Sequence, residues 1–311
     1  MIKRTLYFGH PAYLSLSNSQ LVVKLPEVET APVSEALKKE STTTVPVEDV
    51  GIVILDNQRI TITQGLVAAL MENNVALVSC ADNHLPQGLM LPLNKNTTQC
   101  ERFGYQAEAS LPLKKQLWQQ TMQCKIHNQA VVLRKYRNID TAIMETMARS
   151  VKSGDSDNYE AQAAVFYWSH LFPEHKNFVR GREEDPPNNL LNYGYALLRA
   201  IVARSLVGSG LMPTLGIHHR NKYNAYCLAD DIMEPYRPYI DEWVIAYTDK
   251  HNPLEYATLT QDAKIHLLHI PQLDVTIEGK TRPLMVAVAQ TTASLAQCYA
   301  KQLRRIAYPT M

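Results

Sequence analysis

The strongest constraint on the fold is a change of hydrophobic period at about Cys100. Before it, apolar and β-branched residues come in short runs at 6–8, 13–16, 21–25, 51–55 and 75–79. These runs are separated by the turn signals Gly9-His10-Pro11, Ser17-Asn18 and Asp56-Asn57. Residues 63–73 break the pattern: Leu66, Ala69 and Leu70 fit one helix ended by Asn73-Asn74. Residues 27–49 are polar and weakly patterned and are expected as a long exposed loop.

After Cys100 the spacing is three-to-four. Pro112 suits a first helical turn, and Leu113, Leu117, Thr121 and Cys124 begin a helix expected to reach about Tyr136. Further helices are expected over 139–151, from Asp157, over 189–207 and over 284–306, the last with a basic end at Lys301, Arg304 and Arg305. The expected fold is therefore α+β in two domains. A small β-rich N-terminal domain, sandwich- or barrel-like with one helix, spans 1–97, and an all-α domain spans 98–311.

Charge excludes one class of partner-driven design. Lys+Arg number 31 and Asp+Glu 30, so the chain is not globally basic, as a protein held to nucleic acid by overall charge would be. The balance is uneven, however. Residues 114–152 hold eight basic against two acidic residues. The five cysteines form no CxxC pair and are expected as reduced thiols. The opening MIKRTLYFGH has no apolar run behind its basic pair, and no apolar stretch suits a membrane span, so a cytoplasmic protein is expected.

Three places carry residues suited to chemistry. Glu160 lies three residues after Asp157, the spacing of a capping box, yet the turns that follow are apolar almost all round, which predicts a buried helix with its first carboxylate in a cleft. His218 and His219 follow the breaker-rich stretch 210–217, where extended chain lets only one of the pair face a given site. Asp230, Asp231 and Glu234 share a face if 230–234 is helical. They are either a solvated acidic face, with Arg237 pairing to Glu234, or oxygen ligands for Mg²⁺ or Mn²⁺ beside one imidazole. Pro235 and Pro238 limit the regularity of that helix. Arg180, Arg182, Arg220, Lys222 and Arg237 lie near these acids in sequence and suit a phosphodiester substrate.

The segments 189–198, 210–219 and 228–238 resemble the CRISPR-associated Cas1 integrase-endonucleases of spacer acquisition, most closely the form found beside type II effector systems, and the order of domains is similar. The resemblance implies metal ligands at Glu160, His219 and Glu234, with Asp231 as an auxiliary carboxylate and His218 facing away. It further implies a Mg²⁺- or Mn²⁺-dependent DNA endonuclease and integrase. A 3′-hydroxyl of captured double-stranded DNA would attack a phosphodiester of the CRISPR repeat array. The implied assembly is a homodimer working with the small subunit Cas2, with the β-rich domain serving assembly. Two other readings stay open: a stand-alone metal-dependent nuclease on branched DNA, and a non-catalytic architectural DNA-binding subunit.

Overall fold

A computed structural model describes residues 3–32, 34–175, 178–181 and 184–311. The chain divides into two compact units, 1–95 and 96–311.

The first unit runs β1 (Arg4–Phe8), β2 (Ala12–Ser17), β3 (Gln20–Lys24), α1 (Pro26–Thr30), α2 (Glu35–Glu40), β4 (Thr43–Pro46), β5 (Val50–Leu55), β6 (Ile60–Ile62), α3 (Gln64–Glu72), β7 (Ala76–Cys80) and β8 (Pro86–Met90). Its strands form two open four-stranded sheets, ordered β1-β5-β7-β8 and β4-β3-β2-β6. β1, β5 and β7 are parallel, and β8 returns antiparallel. The β2–β3 hairpin closes through Asn18 and Ser19, both at positive φ, in keeping with a two-residue turn whose twist matches the strands. Ala12, Leu14, Leu21 and Val45 of one sheet share a core with Val50, Val53 and Leu77 of the other and with Leu66 and Leu70 of α3. The arrangement is thus sandwich-like, not a closed barrel.

Residues 27–49 are not the expected loop. They include α2 and β4, which pairs with β3 so that Val45 and Val47 are buried. The polar residues around Val45 mask a strand with one buried face. Among the described residues this unit therefore has three α-helices where one was expected.

The second unit contains α4 (Gln99–Ala107), α5 (Leu111–Arg137), α6 (Ala142–Ser150), α7 (Tyr159–Leu171), α8 (Asn188–Gly208), α9 (Cys227–Met233), α10 (Arg237–Thr248), α11 (Gln261–Leu267), the hairpin β9 (Asp274–Ile277) and β10 (Lys280–Pro283), and α12 (Leu284–Tyr299). The hairpin means that this unit is mostly, not wholly, helical. α12 stops at Tyr299, and Lys301, at φ 59°, turns the chain so that Arg304 and Arg305 follow outside the helix.

α5 is the axis of the unit. Its 27 residues span about 40 Å, and the Ser110 hydroxyl caps it by accepting from the Leu113 N–H. It packs against α6, α7 and α10, while α8 packs against α9, α10 and α12. Within the apolar stripe of Leu117, Met122, Ile126 and Leu133, α5 also buries Thr121, Lys125, Asn128 and Gln129. α7 buries only Ala163, Tyr167 and Leu171, and Val165 is 74% exposed, so the expectation of a helix enclosed on all sides does not hold. Ala164, Phe166 and Trp168 between those three are only half-buried, so they extend its hydrophobic run without being fully covered. Among the described residues no helix is long and apolar enough to cross a membrane.

Candidate metal centre

Glu160 sits in the first turn of α7, as its spacing predicts, but the capping box does not form. Asp155 caps the helix instead, accepting from the backbone N–H groups of Tyr159 and Glu160 at 3.0 Å each. Asp157 turns away to Lys152 at 2.7 Å. Asp155 and Asn158 both take positive φ, which lets the chain enter the helix with Asp155 beneath its first N–H groups. The Glu160 carboxylate is thereby free for another partner.

That partner is Lys125. Its Nζ donates to Glu160 Oε1 at 2.7 Å and lies 2.7 Å from Glu234 Oε2. Glu160 is 36% exposed, whereas Glu234 is only 5% exposed and Lys125 8%. The other oxygen of Glu234 meets Arg237 Nη2 at 3.2 Å. Burial pulls the Lys125 ammonium towards neutrality, but Glu234 and Glu160 outweigh it and hold the pKa above the usual lysine value. Burial likewise pushes Glu234 up, and Arg237 and Lys125 together bring it below the usual glutamate value. Both groups are charged. Glu234 Oε2 nevertheless lacks a hydrogen bond of acceptable angle, a buried carboxylate oxygen held by ion contact alone.

The acidic segment is neither solvated nor regular. α9 gives way to a 3₁₀ turn at Glu234–Tyr236 before α10 begins, where Pro235 and Pro238 interrupt the ladder. Its carboxylates point to three different partners. Asp230 takes a bidentate contact from Arg199 (2.6 and 3.1 Å) and a third from Asn224 at 2.7 Å. Asp231, fully buried, accepts from the backbone N–H groups of Ile217 (2.6 Å), His218 (2.9 Å) and His219 (3.2 Å). Its Oδ1 also accepts from His219 Nδ1 at 2.5 Å. The hydrogen bond to Asp231 raises the His219 pKa against the pull of burial.

The loop that carries the histidines is held at both ends. Gln106 of α4 accepts from the Met212 N–H and donates to the carbonyls of Met212 and Leu215. Gly216 then passes so close that a Cβ there would lie 2.4 Å from the His219 carbonyl oxygen and 2.9 Å from Asp231 Oδ2. His218 does not face away from His219, as alternation of extended chain had suggested. Its ring stacks on Trp118 at 4.2 Å, and the His219 ring meets the same indole edge-on at 5.8 Å. The loop turns at this point, so alternation does not apply. Burial lowers the His218 pKa.

These contacts define what the site can hold. With Nδ1 given to Asp231, His219 keeps Nε2 as the ring nitrogen that could hold a metal, the arrangement in which a carboxylate fixes the tautomer of a metal-binding imidazole. Glu160 and Glu234 converge on one cation, and two carboxylates with one imidazole suit Mg²⁺ or Mn²⁺. The chemistry of the donors, and the hydrogen-bond-free oxygen of Glu234, fit such an ion. Among the described residues no three His, Cys, Asp or Glu side chains are assembled to hold a metal as they stand. The Lys125 ammonium occupies the point where the two carboxylates meet.

The residues expected to hold DNA separate. Arg220 and Lys222 are exposed beside His219, and Lys222 lies over the Tyr223 ring at 4.8 Å. Arg237 is half-buried and committed to Glu234, with its guanidinium 4.9 Å from the Tyr195 ring centre. Arg180 covers the same ring at 5.0 Å. Tyr195 in turn donates to the buried Asp241 at 2.5 Å, which also accepts from Tyr167 at 2.9 Å. Arg182 lies outside the described residues. Within the basic stretch 114–152, Lys125, Arg134, Lys135, Arg137 and Lys152 all stand in ion pairs with acids, most of them distant in sequence. That stretch is much less cationic than its composition suggested.

Comparisons with known proteins identify the family. The family model described as CRISPR associated protein Cas1 matches residues 6–267. A CRISPR-associated endonuclease Cas1 of Neisseria meningitidis is 36% identical over 94% of this chain and 91% of its own. Among solved structures, a casposase bound to integration product superposes with TM-score 0.75 at 18% identity, covering 97% of this chain and 91% of that one. A Cas6-RT-Cas1–Cas2 complex gives TM-score 0.71 at 20% identity, covering 97% of this chain and 35% of that chain. At such identities the two structures speak to the fold. The chain belongs to the Cas1 family.

Proposed function

We propose that this Cas1-family chain is a divalent-metal-dependent DNA endonuclease and integrase that inserts short foreign DNA into a CRISPR array. The observation that carries the reading is the convergence of Glu160 and Glu234 on one cation, beside an imidazole whose Nδ1 is fixed by the buried Asp231. Glu160, Glu234 and His219 Nε2 would hold Mg²⁺ or Mn²⁺. Asp231 is not a ligand in this reading, because its oxygens are taken by three backbone N–H groups and His219. Such an ion, when bound, acts as a Lewis acid on the scissile phosphate and offsets charge on the entering and leaving oxygens.

The remaining work falls to the chain's own residues. Asp231 holds His219 in one tautomer and orientation, and Arg237 holds the second Glu234 oxygen. Arg220 and Lys222 stand exposed where a phosphate backbone could be gripped. The constellation includes no serine, cysteine or lysine placed as a nucleophile, so the entering oxygen belongs to the substrates. In integration, a 3′-hydroxyl of the captured DNA forms a new bond to phosphorus as the bond to the departing 3′-oxygen breaks, and that oxygen takes up a proton. With water as the entering group the same displacement is endonuclease cleavage.

The structural relatives support the wider assembly. A casposase of this fold is bound to an integration product, and a Cas1-containing chain of this fold is part of a complex with Cas2. By that analogy the chain works on double-stranded DNA with the small Cas2 subunit; to this we add, from the family resemblance and not from those two structures, a homodimer in the cytoplasm.

One observation favours the non-catalytic architectural reading: both carboxylates already have a cationic partner in Lys125. A strand-joining assay on a repeat-containing plasmid decides between them. Joining is expected with Mg²⁺ or Mn²⁺ and not in excess chelator. Full turnover in chelator would remove the metal, and absence of joining with the small subunit present would favour the architectural role. Cleavage of branched DNA without any joining would favour the stand-alone nuclease.

A further inference from the structure

Lys125 projects from α5 into the gap between Glu160 and Glu234, with Nζ 2.7 Å from an oxygen of each. It comes from a different element than either carboxylate, and it is almost wholly enclosed. A buried ammonium is costly unless paired, and here it has two anions in contact. Glu234 has no spare oxygen, because Oε1 is with Arg237 and Oε2 faces Lys125. Glu160 gives Oε1 to the same ammonium.

A divalent cation seeking both carboxylates can reach Glu160 through its second oxygen, but at Glu234 it needs the oxygen that Lys125 faces. Two cations cannot occupy contact distance from the same oxygen without strong mutual repulsion, least of all beside the buried Glu234. We infer that Lys125 is a built-in competitor for the metal: its ammonium closes the carboxylate pair in the metal-free protein and must leave Glu234 Oε2 when Mg²⁺ or Mn²⁺ binds. This rests on the metal-dependent reading above and adds to it a residue that acts through the ligands, not on the substrate. The arrangement gives the metal-free protein a neutralised core at the site, so Glu234 need not remain buried beside Glu160 with Arg237 alone to balance it.

The consequence separates Lys125 from an ordinary structural ion pair. Removing a purely structural cation lets the carboxylates move apart and weakens both stability and metal binding. Removing a competitor lowers metal-free stability but strengthens metal binding. The test uses the full-length chain and its Lys125→Met and Lys125→Gln variants, with Mn²⁺ titrated by calorimetry and thermal melts recorded in chelator and in excess Mn²⁺. In chelator, Lys125→Met is expected to melt roughly 6–12 °C lower than wild type. It is expected to bind Mn²⁺ at least about tenfold more tightly and to gain a larger rise in Tm from the metal.

Equal or weaker Mn²⁺ binding by a folded variant overturns the inference. So does a Mn²⁺-soaked crystal of the wild type in which the metal sits on Glu160 and Glu234 while Lys125 still touches both. Should Lys125→Met fail to fold, Lys125→Gln, which keeps a donor for Glu160, and the wild-type crystal decide the matter. If neither wild type nor variants bind Mn²⁺, the metal-dependent reading fails and takes this inference with it. If wild type binds and the variants bind no more tightly, only the role of Lys125 falls.

Discussion

His219 donates its Nδ1 proton to Asp231 Oδ1 across 2.5 Å, and the same carboxylate collects the backbone N–H groups of residues 217–219. One buried acid thus shapes the loop and sets the tautomer of the histidine it carries. Asp231→Asn replaces an acceptor by a donor towards Nδ1 or Ile217. Calorimetry is expected to show Mn²⁺ affinity reduced by about 10–100-fold, with strand joining falling in step. Because Asp231 raises the His219 pKa, protons compete with metal for His219 at higher pH than for an ordinary histidine. Wild-type Mn²⁺ affinity is expected to fall as pH drops through that raised pKa, and Asp231→Asn to shift the midpoint to lower pH.

Glu160 and Glu234 are expected to part company on removal. Glu160 is partly exposed, so Glu160→Ala should abolish joining while the protein remains folded. Glu234 is buried between Lys125 and Arg237, and Glu234→Ala takes the acid from Arg237 and leaves the buried Lys125 with Glu160 alone. It should lose joining and also about 3–5 kcal/mol of stability, measured by denaturant unfolding. Wild-type joining by either variant would remove that residue from the ligand set.

Gly216→Ala places a methyl group 2.4 Å from the His219 carbonyl oxygen and 2.9 Å from Asp231 Oδ2. Backbone cannot yield cheaply there, so the loop must shift. Strand joining is expected to fall at least about tenfold, since small misplacements of positioned groups have large effects on rate. An unchanged rate with an unchanged melt would show that the loop relaxes without cost.

Asp241 is an acid whose burial raises its pKa to about 6, despite hydrogen bonds from Tyr195 and Tyr167. A folded-state pKa above the unfolded value means that the folded protein binds the proton more tightly. Stability from this group is then greatest at low pH and falls as pH rises from about 4 to about 6, by roughly 3 kcal/mol. Asp241→Asn should flatten this contribution, seen as the difference between variant and wild-type unfolding free energies across that range. A difference independent of pH would show that Asp241 is ionised throughout.

Arg220 and Lys222 are exposed and, among the described residues, face no acid within ion-pair distance, unlike Arg237. Arg220→Ala and Lys222→Ala should weaken double-stranded DNA binding, each lowering the slope of log affinity against log salt by about 1, with no change in Tm. An unchanged salt slope would place the DNA elsewhere.

The sequence by itself determined the period change at Cys100, the long helix begun at Pro112, the irregular helix at Pro235 and Pro238, and the residue types of the site. Each is local: proline geometry and hydrophobic spacing act within a few residues, so they survive without knowledge of the fold. The strand at Thr43–Pro46 was hidden because only Val45 betrays its buried face. What the tertiary structure decided is which charges meet. Lys125 reads as one cation among eight in a basic stretch, and Trp118 as one apolar residue of α5. The burial of Lys125 beside Thr121, Asn128 and Gln129 is seen in the packed helix and not in the spacing of the sequence. Asp155, not Asp157, caps α7, and Asp230, Asp231 and Glu234 go to three different partners. Pairings between residues 35 to 109 positions apart depend on how helices pack, and electrostatic strength is set by burial. Neither is encoded in any short window of the chain.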